Sequence, residues 1–379
     1  FNTYGPGLRM GEGRIIGDLI KSIVNKTSII FKSSPNYKSS FCYLSDFLNA
    51  IDFMLSNPKK DSIYNVGNDE EIYSLREIVE LLNQDLSTKL EFSFIQDPEE
   101  SHKKQIYNEP LSLKNRGLIY HHGWPNSDDR KIVDFDISIS EIQKYKAAGG
   151  GAVVDATSIG IARDPEGLLK VSNLTDIHII MGAAYYVYLA HPPEVAEMTI
   201  EDLAGVIIND VNVGVGSQKI KSGIIGEVGL SHPLHKDEEK VLIASAVAQQ
   251  ETGAPILIHP GRDEKAPIVA IDILKKSGAD LSNTIMGHLD RTVFEKDTLL
   301  EIAESGCYLE WDLFGQENHY YGSNKHIDMP SDAKRLYDIM WLIDKGYGSK
   351  ILIAHDVCAK HQLEEYGGWG YSYIPSFIV

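Results

Sequence analysis

A chain of 379 residues, 43% hydrophobic and 24% charged, is long enough for one large globular domain or two ordinary ones. Its net charge of −18 excludes the basic surfaces that nucleic acid or an anionic membrane requires; the acidity lies mostly in the later part, with 12 basic and 15 acidic side chains over residues 1–107 against 24 and 39 beyond them. Cys42, Cys307 and Cys358 are too scattered for a disulfide framework or a zinc finger, so a reducing, cytoplasmic compartment is expected. No apolar run is long enough to span a membrane, and no signal peptide is evident. The chain starts without Met inside a strand-and-turn pattern and stops in an apolar run, Phe377 to Val379, so a fragment of a longer reading frame, or a join of two fragments, is expected.

In chain order, Phe1 to Gly7 reads as a strand end and turn. Gly13 to Asn25 has helical periodicity, with Ile15, Ile16, Leu19, Ile20 and Ile23 on one face. Thr27 to Phe31 is a strand, and Phe41 to Asp46 leads into a helix over Phe47 to Leu55 capped by Ser45 or Asp46. Ser62 to Gly67 is a strand, Ser74 caps a third helix with Glu77 at the capping-box position, and Leu90 to Ile95 alternates as a half-buried strand does. Asp97 to Lys104 is a charged loop.

Three motifs in this stretch, Phe1-Asn-Thr-Tyr-Gly-Pro6, Ser40-Phe-Cys-Tyr-Leu-Ser-Asp46 and Tyr64-Asn-Val-Gly-Asn68, followed by the Ser74-Leu-Arg-Glu77 helix start, resemble the C-terminal, sugar-nucleotide-binding part of the NAD-dependent epimerase/dehydratase family. The dinucleotide half is missing: there is no strand–GxGxxG–helix unit and no Tyr-xxx-Lys pair. Gly5, Gly7, Gly11 and Gly13 are turn glycines, and Ser39, beside Lys38, stands where the resemblance implies a phosphate-binding Arg. Residues 1–107 therefore read as an incomplete substrate-binding subdomain, with no NAD and no epimerase activity expected.

From Asn108 the texture changes. A loop to Asp129 leads into a helix over Ile137 to Ala148, closed by Gly149-Gly-Gly151. Short apolar strands then alternate with amphipathic helices. The strands are Ala152 to Ala156, His178 to Gly182, Gly223 to Val228, Pro255 to His259, Thr284 to His288, Cys307 to Asp312 and Ile351 to His355. The helices include Leu203 to Val211, Glu238 to Thr252, Ala266 to Ser277, Thr298 to Ser305 and Ser331 to Lys345, several followed by the glycine that ends a helix. Strict alternation implies parallel strands and right-handed crossovers. Chemistry at the strands' C-terminal tips points to an α/β fold of the (β/α)8 TIM-barrel type over residues 108–379, lacking its first strand and its C-terminal end, preceded by the small α/β subdomain. Such a barrel leaves two unpaired edges, and low solubility is expected unless the first unit covers them.

Four strand tips carry metal-ligand side chains: Glu227, His259, His288 and Asp356. A buried carboxylate such as Glu227 needs a cation, an Arg or a proton. Parallel strands of one barrel aim all four tips into one mouth, and imidazole with carboxylate suits zinc, manganese, iron or cobalt. A metal there activates water and polarises a carbonyl or phosphoryl oxygen, and Asp356 is placed to take the proton. Arg262 and Arg291 each follow a histidine by three residues and are expected at the mouth, where planar anions are their preferred partners. Tyr185, Tyr186 and Lys360 are further candidate contacts to substrate or to the ligands.

The motifs Gly149-Gly-Gly-Ala-Val-Val-Asp-Ala-Thr157, Gly223-Ile-Ile-Gly-Glu-Val-Gly229, Ile258-His-Pro-Gly-Arg262, Gly287-His-Leu-Asp-Arg-Thr292, Tyr308-Leu-Glu-Trp-Asp-Leu-Phe-Gly315, Ala354-His-Asp356 and the Tyr366-Gly-Gly-x-Gly-Tyr371 run resemble the phosphotriesterase-related proteins, a branch of the binuclear amidohydrolase barrels. The resemblance implies a metal-dependent hydrolase. Glu227 then stands where related enzymes have a carbamylated, metal-bridging lysine, His259 and His288 bind the second metal, and Asp356 binds the first and handles the proton. It also implies a His-x-His on the first strand, and the chain has none. Adjacent His121 and His122 project to opposite sides of a strand and do not replace it; His232 and His235 read as loop surface, and His355 as pointing into the barrel wall. His319, His326 and His361 read as loop histidines, and His102, His178 and His191 carry no ligand signal. The expectation is a one-metal centre, most simply zinc, acting on an ester, lactone or amide of a small anionic substrate, with no nucleic-acid or membrane partner and a homodimer compatible with the resemblance. The alternative is an inactive fusion or fragment, or a sugar-nucleotide-binding remnant.

Overall fold

Short apolar runs separated by amphipathic helices cannot pair as hairpins; each crossover returns the chain to the same end of the sheet, so the strands lie parallel. The computed structural model describes residues 2–4, 15–31, 38–44, 47–49, 72–85, 92–94, 106–123, 125–318 and 328–379. They belong to two units, Phe1–Gln105 and Ile106–Val379.

In the first unit, β1 (Asn2–Tyr4) runs parallel to β3 (Lys38–Tyr43), which pairs antiparallel with β4 (Ile72–Ser74). A separate parallel pair joins β2 (Ile29–Phe31) and β5 (Phe92–Phe94). The helix Ile15–Asn25 buries Leu19, in line with its periodicity. The helix Leu75–Asp85 begins with the expected capping box: Ser74 N–H donates to Glu77 Oε2 at 2.7 Å and Glu77 N–H to Ser74 Oγ at 3.2 Å. The expected strand at Ser62 to Gly67, the capping residues Ser45 and Asp46, and most of the Phe47 to Leu55 helix lie outside the described residues.

The second unit is one curled sheet of seven parallel strands in chain order: β6 (Ala152–Asp155), β7 (His178–Ala183), β8 (Ser222–Gly229), β9 (Ile256–His259), β10 (Thr284–Met286), β11 (Tyr308–Trp311) and β12 (Ile351–Ile353). All seven expected strands are present, within a few residues of the expected bounds. The core lies at the middle of the sheet, where Ile225, Ile256, Ile258, Met286 and Leu309 pack with Leu203, Ile207, Val241, Leu242 and Leu274 of the helices. The sheet does not close: β6 and β12 are its two edges. Near the β6 edge, Val154 and Ile180, cross-strand partners, are 50% and 36% exposed.

Besides the single turn Leu289–Thr292, two longer helices were not read from sequence. Pro165–Thr175 opens with Asp164, whose Oδ1 accepts Gly167 N–H at 3.0 Å, with Pro in its first turn. Arg116–His122 packs by Tyr120, whose hydroxyl donates to Gly315 O at 3.0 Å. His121 and His122 therefore sit on a helix, not a strand.

Candidate metal centre

Backbone irregularities at the C-terminal ends of the strands aim the functional side chains. In β8 the register with β9 shifts between Ile225 and Val228. Gly226 lies there at φ 137°, and a Cβ on it would come within 2.4 Å of Leu257 O, so only glycine fits. Glu227 follows. His259 ends β9. His288 is not part of its strand: β10 stops at Met286, and His288 takes a left-handed conformation, φ 53°, immediately before the short helix Leu289–Thr292. Asp356 adopts a similar conformation, φ 43°, beyond β12.

Glu227, His259 and His288 converge, with ligand atoms all within 4.8 Å of one another. Glu227 Oε2 is 3.1 Å from His259 Nδ1 and 3.3 Å from His288 Nε2, and the two ring nitrogens are 2.8 Å apart. Asp312, just past β11, grips His288 twice: Oδ2 accepts its backbone N–H and Oδ1 meets Nδ1, both at 2.8 Å. That bond commits Nδ1 and leaves Nε2 for the centre of the cluster, the carboxylate–histidine arrangement that orients a metal ligand. A carboxylate oxygen and two imidazole nitrogens converging in this way fit a divalent cation.

The electrostatics match. Burial alone would raise the Glu227 carboxyl, but the charges and hydrogen bonds of His259 and His288 outweigh it and hold it well below the usual range. Burial pushes His259 down to about 3 against the pull of Glu227, so its imidazole is neutral at pH 7. Burial opposes charge on His288 too, yet Asp312 dominates and holds it well above the ordinary imidazole. Asp356 is raised to about 7 by burial, with His288 pulling it down and Glu227 and Asp312 pushing it up. It therefore feels the centre's charges, although its carboxylate is not one of the three converging groups.

The other candidates fall into different places. Tyr186 stands at the centre, its hydroxyl 3.3 Å from His259 Nδ1 and its ring edge-on to the imidazole. Burial raises its phenol, so the hydroxyl keeps its proton. Arg262 is partly buried just beyond β9, close enough to bear on Tyr186. Arg291, expected at the mouth, is instead fully buried: its Nη2 lies 3.1 Å from His259 Nε2, and its Nη1 donates to Thr292 Oγ1 at 3.0 Å. Pro260 O is also within its reach. It braces a ligand from behind. Lys360 is likewise spoken for, its Nζ 2.7 Å from Asp128 Oδ1, and Tyr185 is buried in the hydrophobic core.

Of the remaining histidines, His355 turns away as expected, its Nε2 against Tyr371 O at 3.2 Å. His235 caps the helix Lys236–Thr252 and stacks on Tyr188, His232 lies 3.6 Å from Asp263, His361 pairs with Asp129, and His191 meets Tyr186 O. His102, His319 and His326 lie outside the described residues.

Sequence reasoning overlooked Asp312 and Glu310. The signal was present: Tyr308-Leu-Glu-Trp-Asp312 is a strand ending in a carboxylate, with a second carboxylate two residues earlier on the same face. Burial and the neighbouring Asp312 raise Glu310 well above the ordinary carboxyl. It lies beneath Gly287, where any Cβ would meet Asp312 Oδ2 and Ile258 O at 2.9 Å.

Parallel β/α units that bring two imidazoles and a carboxylate together at the C-terminal ends of their strands define a metal-dependent hydrolase. Residues 106–379 match the Phosphotriesterase family, and the chain belongs to that family. It is 50% identical to a phosphotriesterase-related protein of Nematostella vectensis, over 71% of this chain and 77% of the relative, and 42% identical to the N-acetyltaurine hydrolase of Bos taurus, over 74% and 81%. Among solved structures, a resiniferatoxin-binding protein from Rhodobacter sphaeroides is 31% identical with a TM-score of 0.71, covering 74% of this chain and 78% of that one. Residues 1–67 match the NAD dependent epimerase/dehydratase family.

Proposed function

We propose that residues 106–379 form a (β/α)8-type barrel without its first strand that hydrolyses the amide bond of a small N-acyl substrate bearing an anionic group. The observation that carries this reading is the convergence of Glu227, His259 and His288 within 4.8 Å. The likeness to an N-acetyltaurine hydrolase supports an amide substrate and a sulfonate-like anion.

Glu227 Oε2, His259 Nδ1 and His288 Nε2 would hold a divalent cation, zinc being the simplest fit to this donor set. When bound, the cation supplies Lewis acidity to the scissile carbonyl and to water. Asp356, raised to about 7, is matched to accept a proton at neutral pH and return it to the leaving nitrogen. Tyr186 keeps its phenolic proton and offers an O–H beside His259. Arg262 is the residue we assign to the substrate's anion; Arg291 cannot share that role while buried behind His259. Because the chain contains no His-x-His, the assignment is one cation per chain.

The test is metal analysis of the purified chain together with hydrolysis of N-acetyltaurine and a neutral ester. One tightly held cation and a preference for the anionic amide are expected. Two tightly held cations would overturn the one-metal reading, and equal rates on the neutral ester would overturn the anion assignment. The missing His-x-His favours a second reading, a protein that binds the cation without turnover, and full cation occupancy with no hydrolysis of either compound would select it.

A further inference from the structure

A concavity lies apart from the converging triad. It has a volume of about 210 Å³ and is walled by the helix Arg116–His122, the loop after β11 and the segment beyond β12. None of the residues assigned above to cation or substrate lines it. In a chain of 54 acidic residues its lining contains no carboxylate, yet includes a guanidinium, that of Arg116, and two imidazoles, those of His355 and His361. Its walls are aromatic: Tyr120, Phe314, and Trp369 stacked on Tyr373 with ring centroids 4.7 Å apart.

The polar groups around it are settled in a way that leaves one cationic donor over. Arg116 uses Nε and Nη2 on His361 O, at 3.3 and 3.1 Å, and its guanidinium lies 5.4 Å from the Tyr120 ring. Its Nη1 takes no acceptor among the described residues. Tyr120 and Tyr373 direct their hydroxyls away, to Gly315 O and to Asp332 Oδ2. What remains is a guanidinium edge beside aromatic faces, a combination that selects a flat anion. The volume is below the roughly 300–1,000 Å³ of pockets for drug-sized molecules, so the occupant is small.

We propose that this cavity is a binding site for a small planar organic anion, an aromatic carboxylate, held by Arg116 against the Tyr120 and Trp369 rings. It goes beyond the hydrolytic reading and does not depend on it. Gln316 ties the cavity to the centre, since it lines the cavity and its Nε2 donates to the backbone oxygens of His355 and Asp356, at 3.2 and 3.3 Å.

The experiment is calorimetric titration of the full chain with benzoate and with benzamide, the same ring without the charge. Benzoate should bind saturably and benzamide about tenfold more weakly or worse, as for loss of a charge-assisted contact. Arg116→Met should weaken benzoate by a similar factor, and His288→Ala should leave it unchanged. Trp369→Ala, at a half-exposed position where folding is not at stake, should also weaken it. Benzoate binding lost in His288→Ala but kept in Arg116→Met would assign the anion to the metal centre and overturn the proposal. Absence of saturation, or equal affinity for benzamide, would overturn it as well.

Discussion

At the scale of single residues, the centre is built by partners that lie far away in sequence. His288 needs Asp312, 24 residues on, to fix its tautomer, and His259 is backed by Arg291, 32 residues on. Replacing Asp312 by Asn keeps the shape but no longer anchors Nδ1–H with a charge, so cation affinity should fall about 10- to 100-fold. Competition with a chelating dye measures it, and an unchanged affinity would remove Asp312 from the ligand's support. The pairing also explains what sequence could and could not show. Glu227, His259 and His288 were legible because each sits at the end of an apolar run. The burial of Arg291 was not, because its partners, His259 Nε2 and Pro260 O, lie at the end of β9 and only the fold brings them within reach.

Asp356 gives a pH prediction. Its carboxyl rises from an ordinary 3.8 to about 7, so the folded chain holds this proton more tightly than the unfolded chain does. The sign follows: the contribution to stability is fully present below about pH 4 and is lost as pH rises toward 7. Asp356→Asn does not titrate. In the presence of chelator, the variant's Tm minus that of the parent should therefore climb between pH 4 and pH 7 and level off above. A difference independent of pH would show that Asp356 is not strained by its surroundings.

At the scale of elements, the strands were readable and the backbone turns at their tips were not. Ile225, Ile256 and Ile258 are fully buried, and such positions announce themselves as short β-branched runs. The turns that aim the ligands depend on backbone conformation, which the residue names signal only through glycine. Gly226 is the clearest case, at φ 137° with Leu257 O where a Cβ would be. Gly226→Ala should destabilise the fold by about 1–3 kcal/mol through strain and a displaced β8, and should weaken the cation because Glu227 is carried by the same turn. Ala at Gly253, also at positive φ but with open space around its missing Cβ, should cost less and leave cation affinity intact. Urea midpoints and dye competition on the two variants separate these outcomes; equal loss of affinity would show that Glu227 is not placed by the Gly226 turn.

At the scale of the whole second unit, the sheet is open. Seven parallel strands end at β6 and β12, and neither edge strand pairs with another among the described residues. Exposure follows: the central strands β8 and β9 bury Ile225, Val228, Ile256 and Ile258 completely, while Val154 and Ile180 beside the β6 edge remain 50% and 36% exposed. Val153, the neighbour of Val154 in β6, packs instead against the cluster of Ile142, Val171 and Ile177 beneath the helices, so Val154 points to the opposite face. An unpaired edge flanked by exposed β-branched residues is a template for adding another strand from a second chain. A charge placed there blocks such pairing, and at this half-exposed position it has little to disrupt. Val154→Lys should therefore raise the concentration at which the chain begins to scatter light and leave its Tm nearly unchanged. Val153→Lys, on the packed face, should instead lower the Tm, because a charge there would displace contacts with the helix Phe135–Ala147. If the two substitutions changed scattering alike, or if Val154→Lys had no effect, the open β6 edge would not be the surface through which these molecules associate.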